Sequence, residues 1–90
     1  MNVIRLITTE GCEACNIAKK LITDAIKQSG ASVKLQIIDC LDEKYKDFIR
    51  IHNIYDYPTI IFMQDDITIF TRKGTMAVPQ LLYQIKLWFN

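Results

Sequence analysis

The feature that most constrains this chain is a change of hydrophobic period near its amino end. Val3 to Thr8 is a short apolar, β-branched run broken only by Arg5, the pattern of a strand. Beyond Gly11 the apolar residues fall instead at Ala14, Ile17, Ala18, Leu21, Ile22, Ala25 and Ile26, with Asn16, Lys19, Lys20, Thr23, Asp24 and Lys27 between them. That is amphipathic helical spacing, and Gly30 is placed to end the helix. Val33 to Ile38 alternates and then runs apolar, which predicts a second strand. A strand, a helix and a strand in succession need a crossover, so the two strands run parallel with a right-handed connection.

The rest of the chain adds a second helix and a hairpin with a closing helix. Leu41, Tyr45, Phe48, Ile49 and His52 share one face of a second helix, with Asp39 or Asp42 as its cap. Asn53 to Tyr57 reads as a loop ending at Pro58. Thr59 to Met63 and Ile67 to Thr71 flank Gln64-Asp65-Asp66, a tight turn in which Asp tolerates positive φ. The last helix starts near Val78-Pro79 and carries Leu81, Leu82, Ile85, Trp88 and Phe89 at helical spacing. The order β-α-β-α-β-β-α predicts an α/β fold: a four-stranded mixed sheet with helices on both faces. With no linker or repeat in 90 residues, a single domain spans 1–90.

Composition narrows the function classes. Half of the residues are apolar and only three are Gly and two Pro, so the chain is expected to be ordered. A net charge of +1 with mixed signs leaves no footprint for nucleic acid or anionic membrane. No apolar run approaches the ~18–20 residues of a membrane-spanning helix. Arg5 interrupts the amino-terminal apolar run, which does not read as a signal peptide. The expectation is a cytoplasmic monomer.

Three cysteines, Cys12, Cys15 and Cys40, are too few for a stapled secreted scaffold. Cys12-Glu13-Ala14-Cys15 opens the first helix. Thiol–disulfide exchange needs one thiolate to attack and a second thiol to resolve the mixed disulfide. Two cysteines three apart on a first helical turn share a face, so a bridge can close with little backbone movement. The first lies at the positive end of the helix dipole, which favours its thiolate. Cys12 then reads as the exposed nucleophile and Cys15 as the inner, resolving thiol. The alternatives are two structural cysteines or a zinc half-site. Zinc needs two further ligands, and besides carboxylates only Cys40 and His52 remain, without the compact spacing of a zinc ribbon or finger. No metal is expected.

The sequence at this point resembles the thioredoxin superfamily. The resemblance rests on Gly11-Cys12-Glu13-Ala14-Cys15, on Tyr57-Pro58-Thr59 leading into an apolar strand, and on Gly74 sixteen residues beyond Pro58. It runs over nearly the whole chain, although the extra strand and helix that begin a thioredoxin are missing. In length and strand count the chain is closer to a glutaredoxin. The resemblance implies a cis peptide bond between Tyr57 and Pro58, lying against the cysteine pair. Such a bond exposes the backbone of Tyr57 to pair with an extended substrate. It implies a rim in which Gly74 admits a partner backbone, with Gly11 beside the pair. Thr75, Met76 and Ala77 would line the groove together with Tyr57 and Ile54. It also implies dithiol–disulfide oxidoreductase activity on protein disulfides, with no cofactor beyond the Cys12–Cys15 disulfide. A thioredoxin-reductase-type protein or glutathione would recycle it. A glutathione-dependent, glutaredoxin-like enzyme and a non-catalytic peptide-binding module of the same fold are the alternatives.

The chain also departs from its relatives. Glu13-Ala14 is neither the Gly-Pro of thioredoxins nor the Pro-Tyr of most glutaredoxins, and Gly11 replaces the usual preceding Trp. Leu6 stands where thioredoxins keep a buried Asp as proton acceptor for the second cysteine. That proton must go to water or another group, with Glu10 and Glu13 as candidates. Thr8-Thr9-Glu10-Gly11 and Lys73-Gly74-Thr75-Met76 match neither the basic residue before the pair nor the Gly-Gly-Asp-like element of glutaredoxins. Arg72 and Lys73 could still attract an anionic tripeptide. Cys40 reads as a small half-buried residue at a strand–helix junction, or else as a regulatory thiol. His52 reads as a helix-end residue, Trp88-Phe89 as core closure, and Lys19-Lys20 and Lys44-Lys46 as solvated faces.

The modulating acids Glu10 and Glu13 set the direction of the redox potential. A carboxylate beside a thiolate destabilises it, and hence the reduced form. The potential is therefore expected nearer thioredoxin's ~−270 mV than the oxidising end at ~−120 mV. Equilibration against a glutathione redox buffer measures it, and a value above roughly −200 mV contradicts this electrostatic account.

Overall fold

The computed structural model describes residues 1–89. The elements are β1 (Asn2–Thr8), α1 (Glu13–Ser29), β2 (Lys34–Asp39), a 3₁₀ turn (Glu43–Tyr45) continuing into α2 (Lys46–Ile51), β3 (Thr59–Gln64), β4 (Ile67–Lys73) and α3 (Val78–Phe89). The order is the expected one. The sheet runs β2-β1-β3-β4, with β1 and β2 parallel and the other neighbours antiparallel.

Alternation along the strands sorts side chains onto two cores. Ile4 and Leu6 of β1 and Ile60 and Phe62 of β3 face α1 and α3, where they meet Ala18, Ile22, Leu81 and Ile85. Ile7, Ile61 and Met63 face the other way, toward Ile38, Ile49 and Ile54. Strand β3 is buried from Thr59 to Met63 because both of its faces are covered, so its sequence shows no alternation. Arg5, the break in the first apolar run, lies on the α2 face. Its guanidinium is covered by the Phe48 ring at 4.7 Å and the Tyr45 ring at 5.3 Å. Its Nε donates to Gln36 at 2.9 Å. The charge is thus accommodated by π faces and one amide.

Several boundaries differ from expectation. The second helix is short and opens as a 3₁₀ turn, because both candidate caps act in sequence. Asp39 accepts from the Leu41 N–H at 2.8 Å and Asp42 from the Lys44 N–H at 3.0 Å, two local turns that delay the α-helix. Leu41 therefore leaves the predicted apolar face and is 82% exposed. Gln64 belongs to β3, and the hairpin turn is only Asp65-Asp66, with φ of 51° and 68°, the two positive values of a type I′ turn. Phe62 pairs with Phe70 but Met63 with Thr68, so Ile69 is an extra residue that bulges β4. Core closure by Trp88-Phe89 is half right. Phe89 stacks on Phe62 at 5.3 Å, whereas Trp88 is exposed and donates from Nε1 to Gln84 at 2.8 Å.

Phe62 is fully buried between Phe70 and Phe89. Phe62→Ala is expected to cost about 3–5 kcal/mol, a large share of the stability of a domain this size. Leu41→Ala is expected to stay within about 0.5 kcal/mol. Urea unfolding of the two variants checks both figures.

Candidate functional site

The cysteine pair takes its position from the end of β1. That strand stops at Thr8, and Thr9 to Gly11 turn the chain into α1. Gly11 has φ of 73°, in the left-handed region, where a side chain is strained. Cys12 is the N-cap, in extended conformation, and its Sγ accepts the Cys15 N–H at 3.1 Å. One orphan donor of the first turn is thus aimed at the outer sulfur. When the pair is reduced, the same N–H and the helix dipole favour a thiolate there.

Cys12 and Cys15 are joined as a disulfide with Cα atoms 5.2 Å apart, within the ordinary range. Cys12 is half-buried, while Cys15 is only 3% exposed. The structure thus places Cys12 on the outside and Cys15 on the inside of the turn. Among the described residues no group of three or more His, Cys, Asp or Glu stands close enough to hold a metal ion.

Pro58 enters the same end of the sheet from the other side. Ile7 of β1 pairs with Thr59 of β3, so Tyr57 and Pro58 precede β3 beside the point where β1 ends. The Tyr57–Pro58 bond is cis. The Gly74 N–H donates to the Pro58 carbonyl at 2.8 Å, which brings the two rim residues together, and Gly74 has φ of 89°. Thr75 beside it is exposed. Thr59 is buried and donates from Oγ1 to the Asp56 carbonyl at 2.6 Å.

The expected groove lining needs correction. Met76 and Ile54 are 3% and 2% exposed, one in each core. Both are turned inward because the two cores need apolar volume at the ends of β3 and β4, so neither can present a surface to a partner. The ring of Tyr57 also packs toward the α2 side. Its hydroxyl donates to the Ile54 carbonyl at 3.3 Å, and it packs against the same core as Cys40. Burial pushes the Tyr57 phenol pKa up, and the Cys40 thiol adds to the shift, with smaller contributions from Tyr55 and Asp39.

A pocket of about 290 Å³ opens on the other side of the disulfide, bounded by Leu6, Glu10, Cys12, Cys15, Lys19 and Ile37. Glu10 borders it together with both cysteines; Glu13 does not. Leu6 is fully buried, and Thr59 is the sole buried polar residue among those described. No buried carboxylate therefore stands beside Cys15. Lys19, read as an ordinary solvated lysine, borders the pocket, and its sequence signal was its place four residues after Cys15, one turn along the same face. His52 ends α2 as expected. It stacks on Phe48 at 4.1 Å and contacts the Phe48 carbonyl at 2.9 Å and Thr68 Oγ1 at 3.1 Å.

No family model and no curated protein matches the chain. Solved structures do. A thioredoxin-like protein from Clostridium perfringens superposes with a TM-score of 0.84 at 16% identity, over 97% of this chain and 70% of that one. Thioredoxin-2, a component of the malaria parasite protein secretion machinery, gives 0.81 at 17% identity, over 97% and 82%. Oxidised thioredoxin O2 from Arabidopsis thaliana gives 0.78 at 16% identity, over 100% and 76%. The fold is thioredoxin-like, as the cysteine pair, Pro58 and Gly74 had implied.

The Tyr57–Cys40 contact can be titrated. Cys40→Ala should bring the Tyr57 phenol part of the way down toward its ordinary value of 10.0, because burial, the larger cause, remains. Ultraviolet difference titration, with Tyr57→Phe identifying the signal, reads the shift. Folded Tyr57 keeps its proton to higher pH than the unfolded chain does. Its contribution to stability is therefore whole below about pH 10 and declines as pH rises through the folded pKa. Tyr57→Phe should flatten that alkaline decline.

Proposed function

We propose that the chain is a thiol–disulfide oxidoreductase that reduces protein disulfides. The observation that carries this reading is the Cys12–Cys15 disulfide at the head of α1, outer sulfur accessible and inner sulfur buried, set in a thioredoxin-like fold. In the reduced protein the Cys12 thiolate attacks one sulfur of a substrate disulfide, and the other substrate sulfur leaves as a thiolate. Cys15 then attacks Cys12 Sγ, which closes the internal disulfide and releases the second substrate thiol. Two protein thiols are oxidised and one substrate disulfide is reduced. The oxidised form returns to service through a thioredoxin-reductase-type donor or glutathione.

Substrate positioning falls to the backbone around Pro58. The β1–β3 ladder stops at Thr59, so the main chain of Tyr57 lies beyond it, where an extended segment can add as a short strand. Gly11, Gly74 and Thr75 form the surrounding rim, where two glycines let a substrate backbone come close. The apolar rim expected from sequence is reduced, since Met76 and Ile54 are inside. Recognition then depends more on main-chain hydrogen bonds than on apolar pockets.

Cys12→Ser should abolish insulin reduction, a loss of at least about 10³-fold given removal of the nucleophile. Cys15→Ser should accumulate a mixed disulfide with substrate, visible on a non-reducing gel. Insulin reduction that survives Cys12→Ser defeats the proposal. Offering the oxidised protein NADPH with thioredoxin reductase, and separately NADPH with glutathione reductase and glutathione, identifies the donor by which system consumes NADPH.

A further inference from the structure

The resolving step poses a proton problem. Cys15 is 3% exposed and has no buried carboxylate beside it. Burial in apolar surroundings disfavours a thiolate, so the inner sulfur needs a proton acceptor in order to attack. It borders a pocket of about 290 Å³ that it shares with Cys12, roomy and polar enough for water.

From this geometry, and resting on the oxidoreductase reading above, we infer that Glu10 accepts the Cys15 proton through water in the pocket as Cys15 attacks Cys12. Among the described residues Glu10 is the only carboxylate on the pocket wall. The other facing charge is Lys19 from α1; β1 contributes Leu6 and Thr8, and β2 contributes Ile37, all uncharged. Asp39 and Glu13 lie off the pocket.

The step balances as follows. The Cys15 S–H gives its proton by way of water to the Glu10 carboxylate, and the Cys15 electron pair forms the bond to Cys12 Sγ. The bond from Cys12 to the substrate sulfur breaks and its pair leaves on that sulfur. Glu10 then returns the proton to the departing thiolate or to solvent. Neither Pro58 nor Gly74 borders the pocket, which shares only Gly11 with the substrate rim, so on this reading a substrate seated at Pro58 and Gly74 leaves the proton route open.

The sign of a substitution separates this role from a simple charge effect. A carboxylate acting only as a nearby charge disfavours the thiolate, so its removal would speed resolution. A proton acceptor, when removed, slows it. The test is stopped-flow reaction of the reduced protein with an aromatic disulfide, 5,5′-dithiobis(2-nitrobenzoate). The first coloured thiol reports attack by Cys12 and the second reports resolution by Cys15. A Cys12→Ser, Cys15→Ser protein supplies the background from Cys40. In the parent the second phase should vary little between about pH 8 and pH 6, because transfer to a positioned base starts from the thiol itself and does not wait for solvent to ionise it. In Glu10→Gln it should fall toward about tenfold per pH unit, and at pH 6 lie at least about tenfold below the parent. Glu13→Gln should shift the first phase without steepening the second. A second phase in Glu10→Gln that is faster than, or parallel to, the parent's across pH overturns the role of Glu10. Absence of the first phase in the parent overturns the oxidoreductase reading itself.

Discussion

Strand β1 is hydrogen-bonded along both edges, to β2 in parallel and to β3 antiparallel, and the candidate site takes its position from where that strand ends. The parallel partner requires the crossover helix α1, whose amino end must lie just past Thr8. The antiparallel partner brings the start of β3, and with it Tyr57 and Pro58, to the same end of the sheet. Two chain segments more than forty residues apart meet because one strand serves both ladders. Ile4, Leu6 and Ile7, each fully buried, hold that strand in place from both faces, so the precision of the site depends on apolar packing well away from sulfur.

Much of this was legible in the sequence, for reasons that can be named residue by residue. The helical spacing from Ala18 to Ile26 and the runs around Asp65-Asp66 are strong local signals, and each produced the element it predicts. Cys12 and Cys15 differ in access because the first residue of a helix turn caps while the fourth faces inward, again a local matter. What escaped the reading depends on contacts distant in sequence. Met76 and Ile54 looked like rim residues beside Thr75 and Tyr57, and only the assembled cores show that they are needed inside. Leu41 fitted a helical face until Asp39 and Asp42 took up the adjoining N–H groups. The pocket beside the disulfide joins β1, the following loop, α1 and β2, a meeting that no single window of sequence contains.

The electrostatics of the site are sparse. A helix dipole and one N–H act on Cys12, while the inner sulfur has apolar neighbours and a solvent opening bordered by a single acid and a single base. Tyr57 is turned to the opposite core, where burial and Cys40 push its phenol pKa up. The pocket beside the cysteine pair takes part of its wall from β2, while Pro58 and Gly74 meet at the ends of β3 and β4.

The bulge at Ile69 also bears on how copies of this protein share a crowded solution. β4 is the last strand on its side of the sheet, with an unpaired edge and an exposed Ile67, and such an edge invites an incoming strand to extend the sheet without limit. The extra residue breaks the regular repeat of donors and acceptors midway along it, and Arg72 and Lys73 place two positive charges at its far end. An approaching strand finds register for only a few residues before meeting a kink. The irregular strand thus guards against fibrous self-association at an edge that a straight strand would leave open.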